Sequence, residues 1–260
     1  QTFGRSISQR YHSAATGSNL SSMAQGMGRR GRTMGTINSG PKAMSGFADS
    51  LTKVSNEAGV SAQAVVDFGQ TIAPFAKMAG IGEKELLGIS AAFTAAGADG
   101  YAAANTFNSM LADITRQIQN GSPDIAKYSN LIGTTVGQFK EMDATERIIQ
   151  IFEAINAQGP DAIKTLDRLG YDGIRAAKAI TQVSQQAGGL RAAVATSVGA
   201  YGSGATDTAA EAAFDSLADT TGKIKNNLGE MSATLGAFPL AVVKGIGGVF
   251  NSLLTTVNAL

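Results

Sequence analysis

Three kinds of side chain could carry chemistry in this chain of 260 residues: a glycine-rich stretch near its start, carboxylates in clusters, and one histidine. Gly26, Gly28 and Gly31 spell GxGxxG, a pattern that lets backbone approach a pyrophosphate when it joins a strand to a helix, with an acid about twenty residues on. No apolar strand precedes these glycines, and Met27, Arg29 and Arg30 lie between them, so a basic loop accounts for them better than a dinucleotide site. Glu83 with Glu85, and Glu141 with Asp143 and Glu146, are the raw material of an acid and base pair for glycoside hydrolysis. Their places at expected helix starts give a simpler reading, since negative charge there complements the helix dipole. His12 stands alone among Ser, Ala and Gly, and cysteine is absent, which removes a thiolate metal site, a cysteine nucleophile, a histidine metal pair and a Ser/His relay. The phosphate loop GxxxxGK[ST] and the nucleophile elbow GxSxG are missing as well. The expectation is a protein that is not an enzyme, with no catalytic residue, cofactor or metal of its own.

Charge is unevenly spread. Arg5, Arg10, Arg29, Arg30, Arg32 and Lys42 precede the first acid, Asp49, which leaves fifteen basic against twenty acidic residues in the rest and a net charge of −5 there. A basic arm over residues 1–42, rich in Gly, Ser, Arg and Met and without sustained periodicity, is therefore set on a mildly acidic body. Phe3 and Tyr11 are its only aromatic companions, so nonspecific contact with DNA or an acidic protein wall is open to it and sequence-specific readout is not expected. Gln1 stands where an initiator Met is expected, which reads as a cleavage product or the first position of a longer chain. No apolar stretch of the secretory kind follows the first basic residues.

Helices must position whatever this chain presents, because strand patterns are nearly absent and glycines recur where a left-handed residue ends a helix. Alanine and glycine abound while aromatics make up 6% of residues, which suggests thin helices packed closely in place of a core built on large rings. A first helix is expected over residues 43–58, closed by Gly59, and Ser61 can cap the second, which Pro74 should break or kink. A third over 83–96 carries Leu86, Ile89 and Phe93 on one face, and a fourth over 99–120 carries Phe107, Leu111, Ile114 and Ile118. Ser122 before Pro123 opens a short helix that Gly133 closes. Asp143 and Glu146 approximate a capping box for a helix bearing Ile148, Ile151, Phe152 and Ile155. After Gly159 and Pro160, further helices are expected over 161–168, 173–186 and 190–200. The fold class is all-α: a multi-helix bundle of short glycine-capped helices in a module over 43–205, followed by a long heptad-patterned helix in a segment over 206–260.

That last segment has its own pattern. Phe214, Leu217, Thr221, Ile224, Leu228, Met231, Leu235, Phe238 and Val242 are spaced by three and four in turn, the signature of a coiled-coil seam with one polar member. Gly222, Gly229 and Gly236 each follow a seam position, seven apart, although glycine costs about 1 kcal/mol against alanine inside a helix. So regular a cost suggests close approach of another backbone. Two packings satisfy this stripe: a homo-oligomer of like helices, or an amphipathic helix laid on its own domain and kinked at Pro239. Residues 235–260 are the most apolar tract, but Lys244 leaves uncharged runs of 13 residues (231–243, counted from Glu230) and 16 (245–260), each short of the ~18 of a spanning helix.

The order of these segments is similar to a known family. The stretch AGVSAQAVVDFGQTIAPFAKMAGIGEKELLGISAAFTAAGADGYAAANTFNSMLADI resembles the core of the tape-measure proteins of long-tailed phages, where an "aG-s-eel" helix leads to "g-s-eel-aa-aa-aG-g-A-t-L". YSNLIGTTVGQFKEMDATERIIQIFEAI, LDRLGYDGIRAAKAI and NLGEMSATLGAFPLAVVKGI resemble the segments that follow in that family, in the same order. Phe107-Asn108-Ser109 replaces a Leu-rich run, and Leu169-Gly170 lacks the usual preceding aromatic. The likeness spans about residues 43–260 and leaves out the basic arm. It implies a structural virion protein in the lumen of the phage tail tube, setting tail length, released ahead of DNA at infection, and present in the host cytoplasm during assembly. It further implies tail-tube and tail-tip proteins as partners, self-association with three copies favoured, and contact with the host membrane at infection. A single helix of this length would reach only about 390 Å, and the glycines forbid one, so the chain reads as a compact module attached to a ruler. The alternative from another class is a membrane-active helical protein whose carboxy-terminal tract inserts into, or forms a conduit through, the host membrane.

Overall fold

The computed structural model describes residues 41–97, 100–171, 174–209 and residue 212. The chain divides into one compact unit that ends at Glu211 and a second that begins at Ala212, so the described residues belong almost wholly to the first. The protein is all-α, and no strand occurs among the described residues. The helices are α1 (Pro41–Ala58), α2 (Ala62–Ala79), α3 (Glu83–Ala95), α4 (Gly100–Gln119), α5 (Ala126–Leu131), α6 (Val136–Glu141), α7 (Ala144–Ala157), α8 (Ala162–Leu169), α9 (Ile174–Ser184) and α10 (Ala187–Ala200), with 3-10 turns at Pro123–Ile125 and Gly159–Asp161.

Local chemistry sets these limits. Pro41 opens α1 in the first turn, where its missing N–H is no loss. Gly59 ends α1 with φ 65°, and the Val60 N–H then reaches Ser55 O at 3.0 Å, closing the helix end. Ser61 caps α2 by accepting from the Ala64 N–H at 3.1 Å. Pro74 does not end α2, which runs on to Ala79. The proline lies on the exposed side, so the carbonyl its missing N–H leaves over stays within reach of water. Helix α6 falls between two segments expected from the sequence and was not foreseen. Its start is a full capping box, with Thr135 Oγ1 accepting from the Gln138 N–H and Gln138 Oε1 from the Thr135 N–H. The box expected at α7 is only half formed. Asp143 accepts from the N–H groups of Thr145 and Glu146, while the Glu146 carboxylate turns away to Arg191.

Helix α3 is the centre of the body. Every residue from 86 to 93 is buried, so the middle of this helix has no solvent face, and α1, α2 and α10 pack around it. The core corrects the expectation of one without large rings. Phe93 on α3 lies 5.0 Å from Phe68 of α2, 5.0 Å from Phe107 of α4 and 5.7 Å from Phe152 of α7, ring centre to ring centre. Aromatics are few, but these four converge on one point and tie four helices together. Small residues matter elsewhere. At Gly88 the backbone of α10 comes so close that a Cβ would lie 2.4 Å from Val194 Cα and 2.6 Å from Ala193 O. A second apolar cluster, with Phe47, Leu51, Val54, Val65, Val66, Leu87 and Ala91, lies under α1 and is packed against Ala193.

Candidate functional site

The polar side chains singled out above behave as parts of helices. Asp143 is the N-cap of α7, and Glu83 and Glu85 lie in the first turn of α3. Glu146 and Glu153, one and three turns into α7, both bind Arg191 of α10, at 2.9 Å and 2.7 Å. The pairing with Arg191 is the largest influence on Glu146 and holds its carboxyl below the usual range. Lys42 is exposed at the start of α1. Arg5, Arg10, Arg29, Arg30 and Arg32, the loop at Gly26, Gly28 and Gly31, and His12 lie outside the described residues. So do the seam positions Phe214, Leu217, Thr221, Ile224, Leu228, Met231, Leu235, Phe238 and Val242, the glycines at 222, 229 and 236, and the tract 235–260.

The densest polar constellation is one that sequence reasoning missed. It centres on Asp113 of α4, which accepts from Gln117 Nε2 at 2.7 Å, Arg116 at 2.8 Å, Tyr128 Oη at 2.9 Å and Lys127 Nζ at 3.1 Å. Burial pushes its carboxyl up, but these four donors outweigh burial and bring it to about 2. An ionised carboxylate only accepts, so Tyr128 must donate to Asp113. Its hydroxyl proton is then spent, and in the 2.9 Å contact with Tyr171 it is Tyr171 that donates. The order of donation is Tyr171 to Tyr128 to Asp113. Burial, first of all, raises both phenols, Tyr171 to about 12 and Tyr128 further. Lys127 also donates to Leu169 O at 3.0 Å, at the carbonyl end of α8. Gln117 turns its amide N–H to the carboxylate and leaves its Oε1 buried without a hydrogen bond, because the reversed amide would set oxygen against oxygen.

Chemically this is a staple. It joins α4, α5 and the turn after α8 through one anion, and a carboxylate held at about 2 is a poor proton acceptor near neutrality. The only trace in the sequence is an acid set between Met110, Ile114 and Gln117 on the buried side of α4.

A second constellation ties the end of the body to its beginning. The Asp49 carboxylate, on a residue 2% exposed, accepts the Gly204 N–H at 3.1 Å and the Thr206 N–H at 3.0 Å. Ser50 Oγ donates to Ser197 O at 2.6 Å, and Ser197 Oγ donates to Lys84 O at 2.7 Å. Thr52 and Thr206 hydroxyls meet at 3.3 Å, Thr196 donates to Glu57 at 2.7 Å, and Tyr201 Oη donates to Ala43 O at 3.1 Å. Lys84 Nζ sits 4.2 Å from the centre of the Tyr201 ring, which lies so close to Gly46 that no Cβ fits between them. Polar residues at 49, 50 and 52 of α1 could have been noticed as a buried polar row, but nothing local names their partners.

No group of three His, Cys, Asp or Glu side chains that could hold a metal occurs among the described residues. No helix among them is long and apolar enough to cross a membrane. No family model, no curated protein and no solved structure matches this chain.

Proposed function

We propose that this chain is a module of a phage tail tape-measure protein, a structural virion protein in the lumen of the tail tube that belongs to the ruler setting tail length and leaves ahead of DNA at infection. The observation that carries this reading is the order and spacing of four segments, at residues 58–114, 128–155, 166–180 and 227–246, which follow one another as in that family. An all-α body with glycine at successive helix ends is compatible with it. Copies associate through the stripe from Phe214 to Val242, three about a shared axis, and the arm with Arg5, Arg10, Arg29, Arg30, Arg32 and Lys42 meets DNA or an acidic wall.

Mass spectrometry of tails purified from the host that carries the gene tests the assignment. Peptides of residues 43–209 should be present in intact tails and depleted from tails that have ejected DNA. Their absence from intact tails would overturn it. Dye release from liposomes by the whole chain, lost when a charge is placed within residues 245–260, would favour the membrane-active alternative in that event.

A further inference from the structure

Residues 187–208 differ from the rest of the body in how they are held. Helices α2, α3, α4 and α7 interlock through phenylalanine rings. The stretch 187–208 inserts Leu190 and Val194, lays the Tyr201 ring on Gly46 and seats its backbone against Gly88, and otherwise attaches through alanines and polar links. Those links run from Arg191 to Glu146 and Glu153, from Thr196 to Glu57, from Ser197 to Ser50 and Lys84, from Tyr201 to Ala43, and from Gly204 and Thr206 to Asp49. Water can replace each of these bonds once the stretch lifts, whereas it offers nothing to a displaced phenylalanine.

We propose that residues 187–208 form a releasable strap, latched at Asp49, which opens as one unit and uncovers the face of α1 and α3 beneath it. The latch is a helix cap supplied from a distant element. Thr206 lies near the amino end of a helical stretch over residues 205–209, and its N–H would have no partner within that helix. One carboxylate of α1 satisfies it together with the Gly204 N–H, so both are orphaned together when Asp49 lets go. The face under the strap is shaped for a helix of small side chains. Gly88 admits the backbone itself, Leu87 and Ala91 lie beside it, and Asp49, Ser50 and Thr52 present hydrogen-bonding groups along the edge. Opening withdraws Leu190 and Val194 from the cluster that holds the phenylalanines but leaves the ring-to-ring contacts of α2, α3, α4 and α7 in place, so the body stays folded while this face is exposed. The inference is independent of the tail assignment.

Hydrogen exchange on the full 260-residue chain, read by mass spectrometry, tests it. Peptides within 187–208 should exchange as one block ahead of those covering 103–114 and 148–155. Asp49→Asn removes one of the two acceptors and should speed that block roughly tenfold, the loss expected for one hydrogen bond to a charged group, without changing the other two regions. The chain has no native cysteine, so Thr52→Cys with Thr206→Cys places a single disulfide across hydroxyls that stand 3.3 Å apart. Oxidation of that pair should slow the block to the rate of residues 148–155, and reduction should restore it. The proposal fails if the wild-type block exchanges together with residues 148–155, or if oxidation leaves its rate unchanged. Should Asp49→Asn not fold, the cysteine pair still decides.

Discussion

Asp113 shows how a single acid becomes structural. Alone on the buried side of α4 it would be costly, and four donors from two helices turn it into a junction. Its carboxyl is ordinarily near 3.8 and is held at about 2 in the folded chain. A depressed folded value means that the unfolded chain binds the proton first on acidification. The stabilisation is therefore complete above about pH 4 and is lost as pH falls from there through about 2. Asp113→Asn should cost roughly 2 kcal/mol at pH 7 in urea unfolding, with the deficit against wild type shrinking toward zero at pH 2. A deficit that is the same at both pH values would show that Asp113 acts by packing and not by charge. Tyr171→Phe removes only the outer donor of the relay. It should cost about 1 kcal/mol in urea unfolding, and a cost indistinguishable from zero would show that the outer hydroxyl adds nothing to the relay.

At the scale of the element, glycine does two different jobs that the sequence alone does not separate. Gly88 lies where α3 and α10 touch at backbone distance, and a Cβ there meets Val194 Cα at 2.4 Å with no side chain able to swing aside. Gly199, on the exposed side of α10, has nothing within 4 Å of where its Cβ would be. Gly88→Ala should then destabilise by about 1–3 kcal/mol through overpacking, despite alanine's better helix propensity. Gly199→Ala should stabilise by roughly 0.5–1 kcal/mol. Thermal melts of the two variants give opposite shifts if this account is right, and shifts of one sign refute it. The helix ends were legible because their chemistry is local: Ser61, Ser122 and Asp143 bond to N–H groups two or three residues on. Helix α6 was missed because its apolar content is little more than Val136 and Phe139, too short for a periodic signal, although Thr135 and Gln138 stood in the capping-box pattern.

For the whole molecule the decisive question is association. The stripe from Phe214 to Val242 is narrow, and a stripe of that width is normally covered by a helix of like kind. If copies associate as proposed, Leu228→Asp with Leu235→Asp should lower the sedimentation coefficient to that of one chain while residues 41–209 keep their helical spectrum and melting behaviour. A wild-type chain that sediments as a monomer would remove the assembly claim and leave an amphipathic helix packed within one chain.

Fold class and most of the segmentation follow from local chemistry. Capping side chains and left-handed glycines act over a few residues, and the faces carrying Phe93, Phe107, Phe152 and Ile155 repeat with the helical period. Which faces meet is a property of the packed whole. Asp49 and Thr206 are 157 residues apart, Tyr128 and Tyr171 are 43 apart, and Phe93 finds rings from three other helices. No local preference encodes such pairings. They follow from how the helices fill space together, and the small residue at Gly88 takes its meaning from the helix that lies against it.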